Sequence, residues 1–223
     1  KFSPMSTRFA LSWWLAGPLG LLLLAGCNNV FTPKYRVLVD AIAAPDVPAP
    51  AGGKSYRLLA RKSTVTGQQA QVEVIKACVD AALAGKGMFE APAGVPPDLF
   101  IEVGFGVAAT PRVDAASRET FLQLAARANA SRGIDKGTGP EIWDVRVAVL
   151  GISGRMETAM PLLAAVAADH IGRDTKLETK IEVPQNAEVI GSVRAGAIRT
   201  LEGGAAPRTP ANAGAAVNPV RAD

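Results

Sequence analysis

The sequence predicts an α+β domain, an antiparallel or mixed β-sheet of about six to seven strands packed against two or three helices. Two patterns carry that expectation. Apolar residues recur at every second position through residues 98–107, 142–150 and 177–183, the period of a strand. In residues 66–83 and 158–171 they recur three and four positions apart, the period of a helix. With 223 residues, the chain is long enough for one domain of ordinary size plus a leader and a tail.

Lys1 and Arg8 precede an apolar run over residues 9–24 that closes on Leu24-Ala25-Gly26-Cys27. This is the order of a charged n-region, an h-region and a small-residue cleavage site. The run is shorter than the roughly 20 apolar residues of a spanning helix, and it contains Gly17, Pro18 and Gly20, so it reads as a leader. The tetrad resembles the lipobox of bacterial lipoproteins, in which the cysteine thiol receives a diacylglycerol and becomes the new N-terminus. That resemblance implies that Leu24, Ala25 and Gly26 form the cleavage signal, that Cys27 is lipidated, palmitate included, and that the domain is tethered to a membrane of the bacterial envelope. Asn28 rather than Asp follows the cysteine. In bacteria that sort lipoproteins by this position, that points to the outer membrane, facing the periplasm. Cleavage removes Lys1 and Arg8 and no acidic residue, so the net charge falls by two, from +4 to +2. The precursor's pI of about 9.3 is therefore a poor argument for nucleic-acid binding, and no basic stripe is visible. Lipidation of Cys27 leaves Cys78 as the only thiol and excludes an intramolecular disulfide.

Residues 27–34 form a tether. Tyr35, Val37, Val39 and Ala41 then alternate with Arg36, Leu38, Asp40 and Ile42 as a first strand. Residues 43–54, rich in Pro, Ala and Gly, read as a loop, and residues 56–62 as a second strand. Thr66 and Gln69 have capping-box spacing, and Val72, Ile75, Val79, Ala82 and Leu83 follow on one helical face until Gly85 and Gly87 stop it. Glu73, Lys76 and Asp80 occupy the opposite face, as a solvated face would, and Cys78 sits beside the apolar stripe as a small buried hydrophobe. After Pro96-Pro97, residues 98–107 alternate most regularly of all. Residues 121–128 and 142–150 are the arms of a long-looped hairpin, with Trp143, Val145, Val147 and Val149 on one face.

A second helix is expected over residues 158–171, with Pro161 in its first turn, Gly172 as its stop and Met160, Leu163, Ala167 and Ile171 as its buried stripe. Residues 177–183 make a last strand that ends at Pro184. A weak final helix over 186–201 would present Val189, Val193, Ala197 and Leu201, although Gly191 and Gly196 each cost about 1 kcal/mol relative to Ala. Residues 35–202 thus form one domain. Residues 203–223, with almost nothing to bury, predict a disordered tail.

Four constellations bear on chemistry. Gly104-Phe105-Gly106-Val107-Ala108-Ala109 matches a dinucleotide fingerprint, but Thr110-Pro111 stops the helix whose N-terminus would hold the pyrophosphate, so no nucleotide is expected. The glycines instead flatten or bend a strand face. His170 is the single histidine, at a helix C-terminus that favours its charged form, and Ser153, in Gly151-Ile152-Ser153-Gly154, lacks the second flanking glycine spacing of a nucleophile elbow. Asp169 and Asp174 near His170 are better explained as a solvated helix end than as metal ligands. Trp143 opens a strand on its apolar face and is the one tryptophan left after cleavage, which makes it a candidate binding residue as well as a core residue. No catalytic residue, cofactor or metal is expected.

A lipobox, an early strand at residues 35–42, a helix ending in Gly85-Lys86-Gly87 and Pro97-Asp98-Leu99 leading an alternating strand resemble bacterial envelope lipoproteins of the domain-of-unknown-function 4136 type. The Trp143 strand running to Gly151-Ile152-Ser153-Gly154, and Met160-Pro161 opening an Ala-rich helix, are also similar to that family. The likeness spans residues 35–183, with the family's aromatic-rich second strand reduced here to Tyr56. It implies a mixed α+β domain without known catalytic residues. The expected function is therefore that of a membrane-anchored envelope lipoprotein whose domain is a non-enzymatic binding or scaffold module. An auxiliary lipoprotein of an envelope transport or assembly complex, and a hydrolase built on Ser153 and His170, are the alternatives. The expected partners are the membrane, through the lipid on Cys27, and an envelope protein; neither nucleotide nor nucleic acid is among them.

Overall fold

The computed structural model describes residues 32–45, 53–60, 69–109, 118–134, 139–150 and 156–205. In chain order these form β1 (Lys34–Ala43), β2 (Ser55–Ala60), α1 (Gln69–Ala84), β3 (Phe89–Glu90), β4 (Leu99–Ala109), β5 (Arg118–Ala128), β6 (Glu141–Leu150), α2 (Met156–His170), β7 (Thr179–Pro184) and α3 (Glu188–Ala205). The strands make one seven-stranded sheet in the order β3-β2-β4-β5-β6-β1-β7. Only β2 runs parallel to its neighbours β3 and β4; every other pairing is antiparallel. The fold is thus a mixed sheet with three helices, the α+β architecture that the two periodicities predict.

Alternation decides which face each strand offers. Val37, Val39 and Ala41 of β1, Ile101 and Val103 of β4, Leu122 and Leu124 of β5 and Val145 and Val147 of β6 all point to the side that carries the helices, and all are buried. Pairing puts them in rows across the sheet, such as Val103 opposite Leu124 and Leu124 opposite Val145. α2 lies over β5 and β6, and α1 and α3 pack on it and on each other. Enclosed in this way, α2 buries eleven of its fifteen residues rather than the single expected stripe.

Several expected boundaries shift. α2 begins at Met156, so Pro161 falls inside the helix rather than in its first turn, and the carbonyl of Glu157 receives no bond from the residue four positions on. α3 turns Ile190, Val193 and Ala197 into the core and leaves Val189 and Leu201 exposed, so the expected stripe is off by one position at its start. The two-residue β3 is too short for any period to announce it. The capping residue Thr66 and residues 206–223 lie outside the described residues.

Gly196 and Gly191 differ in purpose. A Cβ on Gly196 would stand 2.8 Å from the Cβ of Ala81, so this glycine lets α3 close on α1, whereas a Cβ on Gly191 would meet nothing within 4 Å. The cost that the sequence assigns to both is offset by packing at Gly196 alone.

Candidate functional site

The face of the sheet away from the helices carries polar side chains paired with one another as well as the buried Phe100, Ala125 and Ala148. Arg146 donates to the nearly buried Glu119 at 2.6 Å and stacks over the Phe121 ring at 4.8 Å. Gln123 donates to Asp144, and Arg127 pairs with Glu102 and Glu141. Gly106 lies directly across from Phe121, and a Cβ there would sit 3.1 Å from the ring. The glycines of the fingerprint-like run therefore belong to the middle of β4, where Gly106 makes room for this aromatic.

The feature that brings titratable groups into a concavity lies on the opposite side. A cleft of about 770 Å³ opens between α1, α3 and the short edge strand β3. β2 holds Tyr56 at 1 % exposure, and its hydroxyl donates to Oδ1 of Asp80 on α1 at 2.9 Å. Burial pushes the Asp80 carboxyl up to about 6, against the hydrogen bond from Tyr56 and with the help of the Glu90 charge. Burial and the Asp80 charge likewise raise the Tyr56 phenol. Glu90 on β3 accepts from Lys76 at 3.0 Å, and Phe89 beside it is half exposed. α3 supplies the far wall with Ser192, Arg199 and Thr200, whose polar groups bond carbonyls of their own helix. The arrangement can accept a donor or a cation at Asp80, and near pH 6 it changes charge.

Asp80 is the residue that sequence reasoning placed on a solvated face. The missed signal is its position among Ala77, Val79, Ala81, Ala82 and Leu83, a stretch too apolar for a carboxylate to be bathed in water.

The expected candidates lie elsewhere. Trp143 is 2 % exposed in the core, where packing accounts for it. His170 ends α2 with Nδ1 2.9 Å from the Val166 carbonyl. Asp169 pairs with Lys86, and Asp174 with Lys176. Among the described residues, no three His, Cys, Asp or Glu side chains are placed to hold a metal ion. Cys78 is buried and free, and desolvation pushes its thiol up to about 11, which suits a core residue. Ser153, Cys27 and the tetrad before it lie outside the described residues. Asp98, of the Pro97-Asp98-Leu99 motif, accepts from the Ser55 amide and hydroxyl, both at 2.8 Å, while its own amide donates to Ser55 Oγ. Those bonds lock the start of β4 to the start of β2 and hold the Asp98 carboxyl below its usual range.

No protein-family model matches the sequence, and no curated protein does. Among solved structures the chain is similar to a PDZ domain protein from Parabacteroides distasonis ATCC 8503, at 14 % identity and a TM-score of 0.48. The alignment takes in 76 % of this chain and 42 % of that one, so the chain spans less than half of that protein. It is also similar to PelC from Paraburkholderia phytofirmans, a dodecamer, at 13 % identity and a TM-score of 0.40 over 61 % of this chain and 99 % of that one. A third likeness is to a candidate lipoprotein from Caulobacter crescentus CB15, at 14 % identity and a TM-score of 0.23, over 67 % of this chain and 91 % of that one. At these scores the likenesses transfer no activity, ligand or assembly.

Proposed function

We propose that the chain is a bacterial envelope lipoprotein, anchored through an acylated Cys27, whose α+β domain is a non-enzymatic binding module. The observation that carries this reading is the order of its first residues: a basic start, an apolar run too short to span, then Leu24-Ala25-Gly26-Cys27. Among the described residues no helix is long and apolar enough to cross a membrane. In this reading the anchor is the lipid on Cys27. The resemblance to the domain-of-unknown-function 4136 type, which no family model bears out, belongs to this proposal, as does the outer-membrane location that Asn28 favours. Mass spectrometry of the protein from native membranes is expected to find Cys27 as an acylated N-terminus. Cys27→Ser is expected to abolish acylation and to release or stall the protein. An unmodified Cys27 inside an uncleaved chain would sink the reading.

A second reading, an auxiliary subunit of an envelope transport or assembly complex, has one observation in its favour. Ile42 and Leu177 are 62 % and 78 % exposed on two segments that hydrogen bonds between Thr175 and Ala41 hold together. A photo-crosslinker placed at Leu177 in native envelopes is expected to capture a defined protein if this surface docks one, and nothing but lipid if it does not.

A further inference from the structure

We infer that the cleft between α1, α3 and β3 binds a small zwitterion with an apolar middle, such as a short peptide, its ammonium at Asp80 and its carboxylate at Arg199. The inference deepens the binding-module reading and rests on it for the existence of a ligand. The two oxygens of Asp80 are used unequally: Oδ1 accepts from Tyr56, while no other described residue bonds the carboxylate. Asp80 is a lining residue of the cleft, which places its carboxylate to meet a ligand there. Its wall is otherwise acidic through Glu90, which Lys76 partly neutralises.

Arg199 stands on the opposite wall. Its Nε–H bonds the Ala195 carbonyl at 3.4 Å, and among the described residues it forms no ion pair, so the terminal nitrogens of the guanidinium are available. The lining also includes the apolar Phe89, Met88, Ala81 and Ala84. The volume falls within the range of about 300–1,000 Å³ typical of small-ligand sites. A simple cation would leave Arg199 unmatched, and a simple anion would face Asp80 and Glu90. A ligand carrying both charges uses both walls, and the planar fork of Arg suits a carboxylate.

The charged and titratable groups lining the cleft or packed against Asp80 are Tyr56 from β2, Lys76 from α1, Glu90 from β3 and Arg199 from α3. Asp80 titrates near 6, so an ammonium held by its ionised form is bound more weakly at about pH 5 than at about pH 7, while the probe's own amine and carboxylate keep their charges.

Calorimetric titration of trileucine into the full chain in detergent micelles tests this. Saturable binding is expected, weakened by about tenfold or more, about 1.4 kcal/mol, when the probe is N-acetylated or C-amidated, and similarly by Asp80→Asn or Arg199→Gln. Absence of binding up to millimolar probe overturns the inference, as does equal binding of the blocked probes or indifference to both substitutions. The blocked probes keep the test valid even if a variant misfolds. Acylated Cys27 without trileucine binding removes the cleft's role and leaves the lipoprotein reading intact; binding by a chain with unmodified Cys27 does the reverse.

Discussion

The two faces of the sheet are made from the same strands and solve opposite problems. On the helix side, Ile101, Val103, Leu124 and Val145 share a core with α2 and with Val79 and Leu83 of α1, and none of these six side chains is more than 6 % exposed. On the other side the adjacent positions Glu102, Gln123, Asp144, Arg146 and Arg127 pair across strands. The first face stabilises the fold by removing apolar area from water, about 25 cal/mol per Å². The second contributes little per pair, because half-exposed ions are still hydrated. What a substitution costs therefore depends on the parity of its position along the strand more than on the size of the side chain.

The sharpest way to break this comparison is Ile101→Ala, which is expected to lower stability by about 2–5 kcal/mol, read from the denaturant midpoint at unchanged slope. A loss under about 0.5 kcal/mol would mean that the assigned face of β4 is wrong.

The helix side also has a second layer, where α3 closes on α1. Gly196→Ala forces a Cβ against Ala81 and is expected to cost about 1–3 kcal/mol, while Gly191→Ala, with open space around it, is expected to gain up to about 1 kcal/mol. Equal shifts in melting temperature for the two would contradict the close approach of these helices.

The open face buries Phe100, Ala125 and Ala148, and with them one charged residue. Glu119 is nearly buried beneath Arg146, so Arg146→Met strands a carboxylate and is expected to cost about 1–2 kcal/mol, less than for a fully enclosed pair because Arg146 is about one-third exposed. Adding Glu119→Gln should recover most of that loss. A double-mutant cycle with no coupling would show that the pair is worth no more than its exposed neighbours.

Asp80 and Asp98 sharpen the comparison by pH. The Asp80 carboxyl is raised in the folded protein to about 6, so folding favours its proton, and the stability this lends is present at low pH and lost as pH rises through about 6. Asp98 is lowered, so its contribution is present above the ordinary carboxylate pKa and lost as pH falls below it. Asp80→Asn is therefore expected to be more stable than the parent at about pH 7, with most of that advantage gone at about pH 4, where the folded parent's carboxyl is itself protonated. Denaturant midpoints at the two pH values check the sign.

The smallest effect expected is for Glu102→Ala, one position from Ile101 on the same strand. It should change stability by no more than about 0.5 kcal/mol, since Glu102 and its partner Arg127 are both about one-third exposed.

The α+β class, the strands β1, β4, β6 and β7, the helices α1 and α2 and the inward faces of β4 and β6 are legible in the sequence, because alternation and helical spacing are properties of a few consecutive residues. The face of Leu177 and Thr179, expected to be buried, is exposed at both because no helix covers that edge strand. The tertiary structure decided what depends on segments brought together from afar. It set β3 beside β2, enclosed α2 on all sides, moved the buried stripe of α3 to Ile190 and turned Gly196 from a local weakness into the contact with Ala81. It also drew Asp80 out of water against Tyr56, 24 positions away in the chain, and set the wall of Arg199 across from it. A period reports which way a side chain points, whereas a site is made by what stands opposite, and only the packing of distant elements determines that.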